Sequence, residues 1–268
     1  MLNLQWKIIF VFDLNKYYYT YSNMNSTEFN YIINKHFTSE FISSVQCFAC
    51  FGFITYFYML LDRLIRKRFQ NPYYFIHSIN NAIVVYYTFP AIEYSIKNIN
   101  NLLDYNSSPE SVILTGALHA YHIIEYKDQL IYYDYLHHGT MCFIALPLGI
   151  YVNFGPMMDF ALFFLSGLPG AIDYMLLFLV RNNFIKRMTE KKINNQINLW
   201  IRCPGCISQA TISAVICLGD YYDVSYFDKS LIFITMLLVY WNGIYFMKLV
   251  VADYAIRKHW LNESTKSN

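Results

Sequence analysis

Charge is what this 268-residue sequence has least of. Only 14% of its positions are Asp, Glu, Lys or Arg, against roughly 25% in ordinary soluble domains. The net charge of +2 provides no basic field for a polyanion, so no nucleic-acid partner is assigned. There is no glycine-rich phosphate loop and no GxSxG turn, which removes the sequence signals of P-loop enzymes and of serine hydrolases. The N-terminus does not read as a secretory signal peptide: the apolar stretch Ile8–Phe12 is short, with Lys7 before it and Asp13 after it. Two CxxC pairs occur, Cys47-Phe-Ala-Cys50 and Cys203-Pro-Gly-Cys206. The first sits inside an apolar helix, and the second lacks the βαβ surroundings of a redox site. No metal ligands and no bound cofactor are assigned.

What is present is apolar and aromatic: 56% hydrophobic and 19% aromatic residues, with 26 Tyr and 22 Phe. The apolar residues gather in blocks long enough to cross a bilayer as helices, which takes about 20 residues each. The chain is therefore expected to be an all-α, polytopic membrane protein of one domain. Seven spans are expected: Phe41–Leu61, Tyr74–Ile92, Ser111–Tyr126, Tyr135–Tyr151, Met157–Val180, Ile197–Leu218 and Ser230–Val251. Residues 1–39 read as a polar N-terminal leader, 40–255 as the transmembrane domain and 256–268 as a cytosolic tail.

The loops alternate in charge. Arg63, Arg66, Lys67 and Arg68 follow the first span, Arg181, Lys186, Arg187, Lys191 and Lys192 the fifth, and Arg257 and Lys258 the last. With an odd number of spans these fall on one side, while the opposite loops hold Asp104 and then Asp220, Asp223 and Asp228. Positive charge marks the cytosol. The N-terminus is then lumenal and the C-terminus cytosolic. The sequons Asn25-Ser26-Thr27 and Asn106-Ser107-Ser108 both fall on the lumenal side.

Ionisable side chains inside spans point to function. His137 and His138 open the fourth span, with Asp134 at i,i+3 and i,i+4, where a carboxylate can reach either ring and set its tautomer. The third span carries His119 and His122 on one stripe, and His77 lies near the start of the second. The fifth carries Asp159, Ser166 and Asp173 at intervals of seven, and Ser166-Gly167-Leu168-Pro169-Gly170 interrupts the helix just before Asp173. Depth along the spans brings His77, His122, His137, His138, Asp134 and Asp173 into the cytosolic half, with Asp159 and His119 deeper. Several imidazoles and acids at one depth on different helices are expected to share a site.

The stretches Leu118-His119-Ala120-Tyr121-His122, Asp134-Tyr135-Leu136-His137-His138-Gly139-Thr140, the Asp173 helix and Tyr240-Trp241-Asn242-Gly243-Ile244-Tyr245-Phe246-Met247-Lys248 resemble the TLC domain family. That family includes ceramide synthases and translocating-chain-associated membrane proteins, and the likeness runs from about His77 to Lys248. It implies a barrel-like bundle of six helices, plus one extra N-terminal helix here, around a lipid-accessible cavity lined by His77, His119, His122, Ser166 and Asn242. It implies location in the endoplasmic reticulum or a related endomembrane, with membrane lipids as partners and acyl-CoA as candidate co-substrate. His137, His138, Asp134 and Asp173 then stand as candidate catalytic residues for acyl transfer to a lipid amine or hydroxyl. The chain departs from the ceramide synthases at Pro169 and Gly170, which occupy the places of their His-Asp pair. It also departs at Asp134, which lies closer to the histidines than their corresponding acid. These departures resemble the shorter members of the family.

Two other functions compete with acyl transfer. One is a lipid-binding, transport or membrane-composition-regulating protein that uses the same cavity as a seat. The other is a metal-dependent oxidase, for which five histidines in spans are fewer than a di-iron set requires.

Overall fold

A computed structural model of the chain describes residues 26–107, 109–147, 155–219 and 224–266. Residues 1–25 of the expected leader, with Asn25 of the first sequon, lie outside the described residues. So do Ser108 of the second sequon, positions 148–151 of the expected fourth span, and Asp220 and Asp223.

The described residues are all helical, with turns between helices and no strand. In chain order the helices are α1 (Ser26–Ile65), α2 (Pro72–Lys97), α3 (Pro109–Tyr126), α4 (Tyr132–Thr140), α5 (Met157–Leu162), α6 (Leu168–Arg181), α7 (Arg187–Ile197), α8 (Cys203–Leu218) and α9 (Tyr226–Lys266). A short 3-10 turn, Ile99–Asp104, lies between α2 and α3. Three π-helical turns interrupt the rods. Met141–Ala145 extends α4, Phe163–Gly167 joins α5 to α6, and Asn198–Arg202 joins α7 to α8.

Among the described residues, four helical stretches are long and apolar enough to cross a membrane: Val45–Ile65, Met157–Arg181, Arg187–Leu218 and Tyr226–Leu261. Their outer faces carry large exposed apolar side chains, among them Phe48, Phe53, Leu218, Phe233, Leu237 and Trp241. Apolar surface of that extent needs a lipid solvent. α2 and α3 are helical where spans are expected but are less apolar. The cause is the polar side chains they turn inward: His77, Ser78, Asn80, Asn81 and Thr88 from α2, and Ser111, Thr115 and His119 from α3 are all buried.

α2 is the centre of the bundle. α3 packs on one side of it and α5–α6 on the other, α1 covers α3, and the α8–α9 pair closes against α7 and the α5–α6 rod. Contacts between rods use small residues. A Cβ on Gly243 of α9 would lie 2.7 Å from the Cβ of Cys206, so these backbones meet because glycine is there. Cys203 and Cys206 are buried in this same α8–α9 contact, as free thiols. Gly155, with φ of +56°, turns the chain into α5 against the Leu102 carbonyl, where a side chain has no room.

Basic residues collect at one end of the bundle. The Gln70 N–H donates to Asn182 Oδ1 at 2.9 Å, and Asn182 Nδ2 donates back to the Gln70 carbonyl at 3.2 Å, which ties the turn after α1 to the turn after α6. Lys191 at the start of α7 pairs with Asp253 near the end of α9 at 3.1 Å. The three basic stretches flagged in the sequence therefore share one end.

Three boundaries differ from the sequence reading. Residues 26–39, expected as leader, are helical and continuous with the first span. The last helix runs on to Lys266, through most of the expected tail. The third difference matters most for the site. The loop expected from Arg181 to Gln196 is only a turn at 182–186, and α7 then folds back into the bundle. Its low hydropathy reads as a loop, but Glu190, Asn194, Asn195 and Asn198 are buried against α6 and α9.

Candidate functional site

The histidines meet. His119 of α3 and His138 of α4 are buried, with their Nδ1 atoms 2.7 Å apart, a hydrogen bond in which one ring donates and the other accepts. The His122 ring stands 4.7 Å from His138 edge-on, and His77 of α2 stands 5.2 Å from His122. His137 lies at the bundle surface, its ring 5.4 Å from His119 and 5.2 Å from His138. All five histidines expected in spans thus form one chain of ring contacts. The local reason is periodicity: His119 and His122 share a face of α3 at i,i+3, and that face meets the last turn of α4. The depth reading placed His119 apart from the cluster. It is instead the direct partner of His138, because α4 enters beside α3 and not at its end.

A shared proton on facing Nδ1 atoms has a chemical consequence. The donor imidazole keeps a lone pair on its Nε2, while the acceptor imidazole must carry its proton on Nε2. Two neutral rings therefore carry one basic Nε2 and one Nε2–H, each on the side of its ring turned away from the shared proton. Neutral imidazoles are also the form that a buried, low-dielectric site admits.

Asp134 is not the orienting carboxylate expected from its spacing. Its Oδ2 accepts from the Ile131 N–H at 3.0 Å, so it caps the start of α4. No hydrogen bond joins it to a histidine among the described residues, although its charge lies within electrostatic reach of His122, His137 and His138. The expected result of Asp134→Asn is therefore small, since Asn also caps. Asp134→Ala should cost about 1 kcal/mol of stability through the lost cap. Thermal unfolding of both variants in detergent, compared with wild type, checks the order.

A second polar cluster faces the first from α6, α7 and the π turn Asn198–Arg202. Arg202 donates through an Nη to Asn242 Oδ1 of α9 at 2.9 Å and lies over the Phe246 ring at 4.5 Å. Asp173 has no hydrogen-bonded histidine. Its charged neighbours are Glu190, Lys191 and Arg202. The clusters join at two points. The Tyr174 ring stands 4.5 Å from His77, and the Arg202 charge reaches His137. Buried polar atoms on both sides lack protein partners: His77 Nε2 and His122 Nδ1 on one, Asp173 Oδ1, Asn195 Oδ1, Asn198 Oδ1 and Arg202 Nε on the other. Unmet polar atoms in such number require polar partners beyond the protein, water or a ligand.

Compared with family models, with curated proteins and with solved structures, the chain matches none.

Ser166, expected on the cavity stripe, donates instead to the Leu162 carbonyl of its own rod at 3.2 Å. Asp159 accepts from Ser111 Oγ at 2.7 Å, toward the end opposite the basic turns. The stripe Asp159–Ser166–Asp173 assumed a uniform helix. The π turn Phe163–Gly167 winds wider and changes the register between Asp159 and Asp173.

Several site residues carried no strong sequence signal. Asp62 of α1 is fully buried and accepts from the Tyr121 and Tyr126 hydroxyls and from Arg66. The Tyr126 ring stands 5.4 Å from His122, so this network backs the histidines. Asp62 sat beside a basic loop and read as part of it. Asn80 accepts from the Tyr58 hydroxyl at 2.7 Å. An Asn80-Asn81 pair inside an apolar run was the available signal.

Proposed function

We propose that the chain is a multi-pass endomembrane protein of TLC type that transfers an acyl group to the amine or hydroxyl of a lipid. The observation that carries this reading is the 2.7 Å contact between His119 and His138, which fixes one ring as the donor and leaves it a basic Nε2. In the transfer, the free Nε2 lone pair takes the proton of the acceptor amine or hydroxyl as it attacks the thioester carbonyl of acyl-CoA. The Nδ1 hydrogen bond to the partner ring holds that base in one tautomer. The carbon–sulfur bond breaks, the new amide or ester bond forms, and the proton ends on the leaving thiol. Asp173 and Arg202, each with an unmet polar atom, are suited to hold polar groups of the substrates. Arg181, Lys186 and Arg187 stand at the end where the phosphates of the co-substrate would arrive.

The finer architecture belongs to the same proposal. The chain crosses seven times, with a six-helix barrel formed from α2 onward and α1 outside it. The grouping of the three basic stretches at one end supports this, since each then follows a crossing in the same direction. That end is cytosolic, the N-terminus is lumenal, and the membrane is that of the endoplasmic reticulum.

A second reading is a non-catalytic lipid seat, which the unpartnered buried atoms also favour because they require only an occupant. Reconstitution separates the two. Protein in liposomes, supplied with a long-chain acyl-CoA and a panel of lipid amines and alcohols, is expected to form an acylated lipid and free coenzyme A. Co-purifying lipid with no product would favour the seat. The topology is checked in sealed microsomes, where external protease should cleave the turn at 182–186. Protection of that turn would reverse the orientation.

A further inference from the structure

His119, His137 and His138 each offer one ring nitrogen, and these three atoms lie within 4.8 Å of one another. Consecutive residues on a helix normally diverge by about 100° and do not ligate one ion. Here His119 stands between them, its ring 5.4 Å from His137 and 4.9 Å from His138, so the three converge. From these distances we infer that His119, His137 and His138 form a binding site for a divalent transition metal of the zinc class, with a fourth position open.

Three imidazoles with one open position is the donor set of a catalytic zinc centre, and nitrogen donors select zinc, copper, iron or nickel over magnesium or calcium. The geometry requires little movement. Two nitrogens on a tetrahedral ion with bonds of about 2.0–2.1 Å stand about 3.3 Å apart. The facing Nδ1 atoms of His119 and His138 are 2.7 Å apart. The ion replaces the proton they share, and the rings part by roughly half an ångström. His137 closes from the bundle surface as the third ligand. A dication in a low-dielectric site needs a counter-charge, and Asp134 lies within electrostatic reach of both His137 and His138. The Arg202 charge opposes the ion, but Asp173 stands among its own charged neighbours.

This site does not rest on the acyl-transfer reading. The ion and the shared proton occupy the same nitrogens, so metal-bound and hydrogen-bonded pairs are alternative states. If both proposals hold, added zinc suppresses product formation.

The test uses the full chain in detergent micelles and zinc alone as the probe. After chelator treatment, zinc is titrated in competition with a chromophoric chelator, and cobalt is added separately. The expected result is one high-affinity zinc per chain and a tetrahedral cobalt spectrum in the visible region. His137→Ala, at the exposed member of the three, should weaken zinc at least tenfold and lose the cobalt band. His259→Ala, on the exposed end of α9, should change neither. Stoichiometric tight binding that survives His137→Ala, or no tight zinc on the wild-type chain, overturns the site. The readout is metal content, so absent acyl transfer would not affect it.

Discussion

Replacement of Asp62 by alanine is expected to be among the most destabilising single changes in this protein, at about 3–5 kcal/mol. Asp62 is fully buried near the end of α1, where its carboxylate accepts from Tyr121 and Tyr126 of α3 and from Arg66. Removing the acceptor leaves two phenol hydroxyls facing apolar neighbours, Tyr58, Ile76, Ala117 and Leu118. A buried donor left without an acceptor costs about 1–3 kcal/mol. Arg66 is half-exposed and retains Glu125 at 3.6 Å, so its own loss is small. The total is a large share of the roughly 5–15 kcal/mol that holds a typical domain folded. Unfolding in detergent, followed by circular dichroism, measures it. Asp62→Ala combined with Tyr121→Phe and Tyr126→Phe should recover part of the loss, because the orphaned hydroxyls are then gone. A single variant as stable as wild type would show that the network does not hold α1 to α3.

The second large effect is on turnover. His119→Ala and His138→Ala are each expected to lower acylated product per folded molecule by about 10²–10⁴, the usual contribution of a positioned acid or base. The double variant should be little worse than either single one, since the two rings act as one hydrogen-bonded unit and their effects do not add. A packing role predicts otherwise: lower yield of folded protein, normal product per folded molecule, and roughly additive losses. Normalising product to folded protein separates these outcomes. Wild-type turnover in both single variants would end the dyad mechanism and leave the lipid-seat reading.

The helices that carry the site were legible because they depend on local composition. Blocks such as Met157–Val180 and Ser230–Val251 are apolar over spans longer than any soluble core helix requires, and helices cover both. The alternation of basic loops was legible for the same reason, and hydrogen bonds between the turns at Gln70 and Asn182 join two of those loops. The histidines announced themselves because an ionisable group is costly in such a block. α7 was missed because its Glu190 and asparagines have the composition of a loop. Only packing against α6 and α9 reveals that they point inward.

What the sequence by itself determined is that the chain is helical and apolar enough for a membrane, and which stretches bear imidazoles and carboxylates. These follow from hydropathy and periodicity, which sum over neighbours in the chain. The tertiary structure decided the partner of each side chain: His119 on His138, Asp134 on the Ile131 N–H, Asp62 under two tyrosines, and Asp173 among Glu190, Lys191 and Arg202 instead of the histidines. A partner is a matter of distance and direction between residues far apart in sequence. The π turn within the Asp159–Asp173 rod moves such directions without changing the composition that the sequence displays.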